Sequence, residues 1–148
     1  MKEKLLTIVL IFVLISGYSQ NLIRFYEKAK VGYKNNSGVV IVPAKYYAGS
    51  DFSNGVALVI ENNKRGFINV KGEVVIPFEY DDASLFFDGL ACVLKNGKYG
   101  YINKLNQTVI NFEYDIAFDF LNGIARVSKN NLWGFIIVMV MKLFLLNI

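Results

Sequence analysis

The chain has 148 residues, 54% of them hydrophobic and 19% charged, with a formal net charge of +4. It carries no histidine and one cysteine, which excludes Ser-His-Asp and Cys-His catalytic constellations, imidazole metal sites and an internal disulfide. Its basic residues are scattered rather than gathered into the stripe that a phosphate backbone requires, so nucleic acid is not an expected partner.

Residues 1–19 read as a secretory signal. Lys2 and Lys4 supply a positive start, and Leu5 to Ile15 an uncharged apolar run. Gly17 and Ser19 are the small residues that precede a cleavage site, here before Gln20. An uncleaved membrane anchor is the alternative, but the run is shorter than the ~20 residues a spanning helix needs. No cysteine lies near the cleavage site, so a lipid anchor is not expected. The expected location is outside the cytoplasm: periplasmic, outer-envelope or secreted. Membrane contact is expected only through this segment or through the apolar C-terminal residues.

From about residue 32 to residue 136 the chain repeats itself. Gly32, Gly66, Gly100 and Gly134 recur at a step of 34 residues, and Gly55, Gly89 and Gly123 keep the same step. Tyr46, Tyr80 and Tyr114 align, as do Val59, Val93 and Val127, and Asn35, Asn69 and Asn103. Pro43 and Pro77 align, with Asn111 third. Repetition of this kind signals stacked supersecondary units. Units are expected near 22–55, 56–89 and 90–123, with a partial one at 124–136; Leu22 to Tyr26 looks like an N-terminal cap. The repeat domain as a whole spans 20–136.

The unit from Gly89 to Gly123 is the clearest. Leu90 to Leu94 forms a short apolar strand, and Asn96-Gly97 then supplies the type I′ hairpin signal that needs positive φ at both positions. Asn62-Asn63 and Asn130-Asn131 fill the same places. The chain returns along Lys98 to Asn103, turns at Lys104 to Gln107, and runs through a third strand, Thr108 to Phe112. A connector with Phe118 and Phe120 closes the unit. No helical periodicity with caps is present. The predicted fold is all-β: an open, solenoid-like tandem array of ~34-residue three-stranded antiparallel units, with a β-propeller-like closure as the alternative.

On the return strand, Tyr99, Tyr101 and Asn103 point one way and Gly100 and Ile102 the other. Both sides carry apolar groups, so the strand should be covered on both faces. The glycine column would then mark a place where another backbone or ring comes too close for a Cβ. A unit this small cannot bury enough surface to fold by itself. Neighbouring repeats should share one continuous core, and stability should grow with their number.

The motifs resemble a known family. Asn130 to Ile136, Asn96 to Ile102 and Asn63 to Asn69 are similar to the WG repeat, also called the KWG repeat, of bacterial proteins. Its pattern runs roughly G-L-A-x-V-x-x-[NG]-G-K-[WY]-G-[FY]-I-[DN]-x-x-G-x-x-V-I-P-x-x-Y-D. Phe67-Ile68-Asn69, Gly72, Val75-Ile76-Pro77 and Tyr80-Asp81 follow it. Trp133 keeps the namesake tryptophan, while Tyr99 and Arg65 stand in its place in the other units. The resemblance covers about residues 30–136. It implies β-rich repeat arrays, often secreted or envelope-attached, with no assigned catalytic residues.

Residues 137–148 depart from the pattern, with no turn and no glycine. A C-terminal membrane segment is one reading, against which Lys142 would cost roughly 2.5–3.5 kcal/mol near a helix centre. A frameshift is the favoured reading. Codons for NSNGNEVIPFEY, read one base out of frame after Ile136, can encode this tail, and that hidden peptide aligns with Asn69 to Tyr80. On this reading the chain is a truncated form of a longer repeat protein. Further repeats encoded downstream in the shifted frame are then expected.

Chemistry-bearing residues are few. Glu79, Asp81, Asp82, Glu113 and Asp115 recur with the repeat, which assigns them to turns and surface rather than to an active site. Asp51, Asp88 and Asp119 lack the spacing of a calcium loop. No catalytic, metal or cofactor-binding residue is assigned, and no cofactor is expected. Cys92 shares its column with Leu58 and Arg126, and a column that accepts arginine should face water. That would make Cys92 an exposed thiol, although an inert small side chain is the favoured reading. Tyr80, Tyr99, Tyr101, Tyr114 and Trp133 are candidate binding aromatics, with packing between repeats as the alternative role. The leading function is a non-enzymatic exported scaffold or binding module for a protein or glycan. An envelope-associated hydrolase or hydrolase fragment, and a membrane-anchored structural protein held by its C-terminal tail, are the alternatives.

Overall fold

The computed structural model describes residues 22–138. The signal reading of 1–19 and residues 139–148 of the apolar tail lie outside the described residues. The described chain forms fourteen strands in four antiparallel sheets that follow one another in chain order. The first joins β1 (Ile23–Glu27), β2 (Lys30–Lys34) and β3 (Val40–Tyr46). The second joins β4 (Ala48–Gly49), β5 (Val56–Glu61), β6 (Lys64–Asn69) and β7 (Val74–Tyr80). The third joins β8 (Asp82–Ala83), β9 (Ala91–Lys95), β10 (Lys98–Ile102) and β11 (Thr108–Tyr114). The fourth joins β12 (Ile116–Ala117), β13 (Ile124–Lys129) and β14 (Leu132–Ile137).

The all-β, open repeat architecture is the expected one, with two corrections. The connector is not bare: its two-residue strands β4, β8 and β12 pair with β5, β9 and β13, so each of the two middle units has four strands. The sheets also break after Tyr46, Tyr80 and Tyr114 rather than at the glycines of the 55, 89 and 123 ladder. A sequence period sets the length of a unit but not its phase, because any cyclic shift of the unit gives the same spacing. The fourth unit also runs one residue further than expected, with β14 ending at Ile137.

Turn chemistry explains the hairpins. Asn62-Asn63, Asn96-Gly97 and Asn130-Asn131 all hold positive φ at both positions, as do Asn54-Gly55, Asp88-Gly89 and Asn122-Gly123. Asparagine, aspartate and glycine tolerate that left-handed region best. The β1–β2 turn breaks the rule, with Lys28 at φ 48° and Ala29 at φ 58°. A Cβ in this region costs roughly 1–2 kcal/mol. Ala29→Gly is therefore expected to raise the unfolding free energy by about 1 kcal/mol, read by chemical denaturation; a loss of stability would refute the strain.

The recurrent asparagines Asn35, Asn69 and Asn103 build the second turn. Each side-chain oxygen accepts from two backbone N–H groups: Ser37 and Val39, Lys71 and Glu73, Leu105 and Gln107, at 2.9–3.0 Å. This is an Asx turn, in which a short polar side chain substitutes for backbone.

The glycine column and the Pro43–Pro77–Asn111 column turn out to be one device. Arg65 pairs with Tyr80 but Phe67 pairs with Ile76, so Pro77, Phe78 and Glu79 bulge out opposite Gly66. A proline is harmless in a bulge because no ladder bond is lost there. The bulge presses the Ile76 carbonyl to 2.7 Å and the Phe78 ring to 3.0 Å from where a Cβ on Gly66 would sit. At Gly100 the Ile110 carbonyl and Phe112 ring come to 2.8 and 3.1 Å. At Gly32, where Ala44 replaces the bulge phenylalanine, the Phe25 ring arrives from β1 at 2.7 Å instead.

Three core clusters lie between consecutive sheets. Tyr33, Val42 and Tyr46 pack on Ala57, Val59 and Ile68. Phe67, Ile76 and Tyr80 pack on Phe86, Ala91, Val93 and Ile102. Tyr101 and Cys92 pack on Phe120, Ala125 and Val127. Adjacent residues Phe67 and Ile68 thus serve different cores, as do Tyr101 and Ile102, because strand side chains alternate. Edge-on or tilted ring pairs repeat at each junction: Tyr33–Phe52 at 5.0 Å, Phe67–Phe86 at 5.0 Å and Tyr101–Phe120 at 4.9 Å.

Candidate functional site

The five candidate aromatics separate by environment. Tyr101 is 0% exposed and donates to the Phe118 carbonyl at 2.8 Å. Tyr80 is also buried and donates to Asn106 Oδ1 at 2.6 Å, and burial pushes its hydroxyl up to about 12. Neither offers a face to a ligand, so both are corrected from binding candidates to packing residues. They stand in two different columns, Tyr80 with Tyr46 and Tyr101 with Tyr33 and Phe67, and each is covered by the unit that follows it. Tyr99 and Tyr114 are half-buried at the third junction. Trp133 alone is substantially open, at 54% exposed.

The exposed-thiol reading of Cys92 is also overturned, since the residue is buried between the third and fourth sheets. Burial pushes the thiol up to about 12, so it is not a nucleophile at neutral pH. Its column holds Arg24, Leu58, Cys92 and Arg126, and so mixes two environments. The arginines belong to the two end units and report on ends, not on the interior.

The recurrent carboxylates are tied to lysines. Glu79 accepts from Lys95 at 2.6 Å and Glu113 from Lys129 at 2.9 Å, while Asp81 and Asp115 accept from Lys64 and Lys98. Lys95, with help from the Asn106 amide, holds Glu79 below its ordinary value of 4.5. Lys64, Lys129 and Lys98 lower Asp81, Glu113 and Asp115 in the same way. Carboxylates lowered in the folded state contribute stability above their unfolded values and lose it as pH falls through the folded ones. The melting temperature is expected to be level from pH 7 to about pH 5 and to drop below about pH 4. A flat profile down to pH 3 would show that these pairs contribute nothing.

Tyr46 and Tyr80 are equivalent, yet Tyr46 is buried with no partner for its hydroxyl among the described residues. The position that would supply one, equivalent to Asn106, is Gly72, where a Cβ would meet Val42 at 2.8 Å. Tyr46→Phe is expected to be neutral or stabilising by about 1 kcal/mol, and Tyr80→Phe to cost about 1 kcal/mol. Equal effects in paired denaturation curves would contradict this assignment.

The C-terminal end of the described array gathers what remains. Arg126 lies across two rings, its guanidinium carbon 4.5 Å from the Phe118 centroid and 4.8 Å from the Trp133 centroid. The rings are 6.2 Å apart and both are exposed. A small groove of about 180 Å³ reaches Phe118 from the third sheet and is lined also by Asp82, Ser84, Tyr99 and Asp119. Phe135 is 71% exposed, whereas its equivalents Tyr33, Phe67 and Tyr101 are each covered by a following unit. At the other end, Arg24 shows what such an arginine meets: it donates to Asp51 of the next unit at 2.6 Å. The platform is suited to stacking and to pairing with a carboxylate. Among the described residues no group of three or more acidic or cysteine side chains could hold a metal ion.

These features define the class: a tandem β-repeat protein whose units are held together by their neighbours. The WG containing repeat model matches residues 32–64, 66–99 and 99–133. The chain belongs to that family. No match was found among curated proteins or among solved structures.

Proposed function

We propose that the chain is a non-enzymatic binding module that engages a protein or glycan through the Phe118–Arg126–Trp133 platform. The stacked, exposed arginine carries this reading. Arginine and tryptophan are among the side chains most enriched where binding energy concentrates, and an arginine held over two rings is ready to meet a carboxylate. The Arg24–Asp51 pair inside the array supports an acidic group on the partner. The same proposal has the chain exported, on the strength of Met1 to Ser19, and cell fractionation with N-terminal sequencing at Gln20 tests that part.

The binding reading is tested by screening the full chain against acidic glycans and envelope proteins beside Arg126→Ala. A partner that binds both equally would remove the platform from the account. Catalytic turnover abolished by Glu79→Gln or Glu113→Gln would replace it with a hydrolase.

A further inference from the structure

Among the described residues the fourth sheet lacks a piece that the other three possess. In the first three, the strand carrying the column glycine is flanked on both sides, and the third long strand (β3, β7 or β11) sets a bulge over it. β14 pairs with β13 and, among the described residues, with nothing else. Arg65 and Phe67, like Ile68 after them, pair with β7 from β6. Their equivalents Trp133 and Phe135 therefore stand on the unpaired edge.

The cradle is open as well. No described atom lies within 4 Å of a Cβ built on Gly134, where Gly32, Gly66 and Gly100 are pressed by a carbonyl and a ring. Tyr46 and Tyr80 have the bulge phenylalanines Phe78 and Phe112 beside them, at 5.9 and 6.4 Å between centroids. Tyr114, their equivalent, has no ring beside it among the described residues. A groove of about 380 Å³ runs along this edge, lined by Tyr114, Val127, Trp133, Gly134, Phe135 and Ile136.

We propose that this edge is a strand-acceptor site, which binds an extended peptide in trans by adding it to β14. An unpaired edge strand presents a ready row of backbone donors and acceptors. The repeat itself states which side chains fit, since β7 and β11 fill the same geometry with Ile76-Pro77-Phe78-Glu79-Tyr80 and Ile110-Asn111-Phe112-Glu113-Tyr114. The partner is thus an extended segment with a branched aliphatic residue, then proline or asparagine, then an aromatic ring, and a tyrosine two residues later. Its ring would sit on Gly134 against Tyr114, and its tyrosine opposite Trp133. This deepens the binding-module reading by naming a peptide partner; it shares Trp133 with the platform but is held by the backbone edge of β14 and not by the Arg126 guanidinium.

The test adds an acetylated, amidated peptide with the β7 sequence, VVIPFEY, to the full chain. Trp133 is the single tryptophan, so its fluorescence reports the site directly. Saturable quenching or a blue shift is expected, with new hydrogen-exchange protection at the Trp133 and Phe135 amides. The ring-less peptide VVIPGEY, and the variant Gly134→Ala, should each bind about tenfold more weakly or worse, the effect of losing one buried ring. Arg126→Ala should leave peptide binding intact, which separates failure of this site from failure of the platform. No saturable change, or equal binding by Gly134→Ala, overturns the proposal. Protection of the Trp133 and Phe135 amides before peptide is added also overturns it, because the chain's own residues would then hold the edge.

Discussion

Phe67→Ala is expected to lower the unfolding free energy by about 3–5 kcal/mol, the usual loss for a fully buried phenylalanine. Phe67 is 0% exposed, sits in the middle cluster and packs its ring 5.0 Å from Phe86 of the following unit. Its removal opens a cavity in the one core that joins the first half of the array to the second. In a chain stabilised by nearest-neighbour junctions, weakening the central junction should also break cooperativity. Urea unfolding followed by Trp133 fluorescence and by far-ultraviolet circular dichroism should therefore show two separated transitions in the variant. In the unaltered chain the two should coincide. A loss below 1 kcal/mol with coincident transitions would mean that the junctions are not what holds the units.

Gly100→Ala is expected to be the second most damaging change, and Gly134→Ala to be silent although it alters the same column. An added Cβ at Gly100 would lie 2.8 Å from the Ile110 carbonyl, 3.1 Å from the Asn111 carbonyl carbon and 3.1 Å from the Phe112 ring. Two of those three obstacles are backbone, held by the β10–β11 ladder, and cannot rotate away. Overpacking of this kind costs about 1–3 kcal/mol or more. At Gly134 there is open space, and alanine is the better strand residue, so the melting temperature should hold or rise slightly. Equal losses at both positions would show that the column serves backbone freedom rather than close approach.

Much of this architecture was legible before any coordinates. Asn96-Gly97 and its counterparts forecast their turns because positive φ admits few residue types, and the observed angles agree. The two-sided covering of Tyr101 and Ile102 followed from strand alternation alone. The Asn35, Asn69 and Asn103 column was visible, but its role as a turn acceptor was not assigned. The signal was there in its fixed place just before each second turn. The short strands β4, β8 and β12 left no trace, since two residues are too few to show a period.

The candidate site was less legible. The Arg126 in its column points Cys92 toward water, and residue type alone makes Tyr101 as good a binding candidate as Trp133. Equivalent positions have equivalent backbones but unequal neighbours. Phe135 and Tyr101 occupy the same place in their units, yet one is 71% exposed and the other 0%.

The sequence by itself determined the period, the three long strands of a unit, the turn chemistry and the family, because each depends on local residue type and on spacing within one unit. Only the tertiary structure decided where a unit begins, which ring covers which glycine, and which members of a column face solvent. Those depend on what the adjacent unit brings, and a unit at the end of an array has a neighbour on one side only.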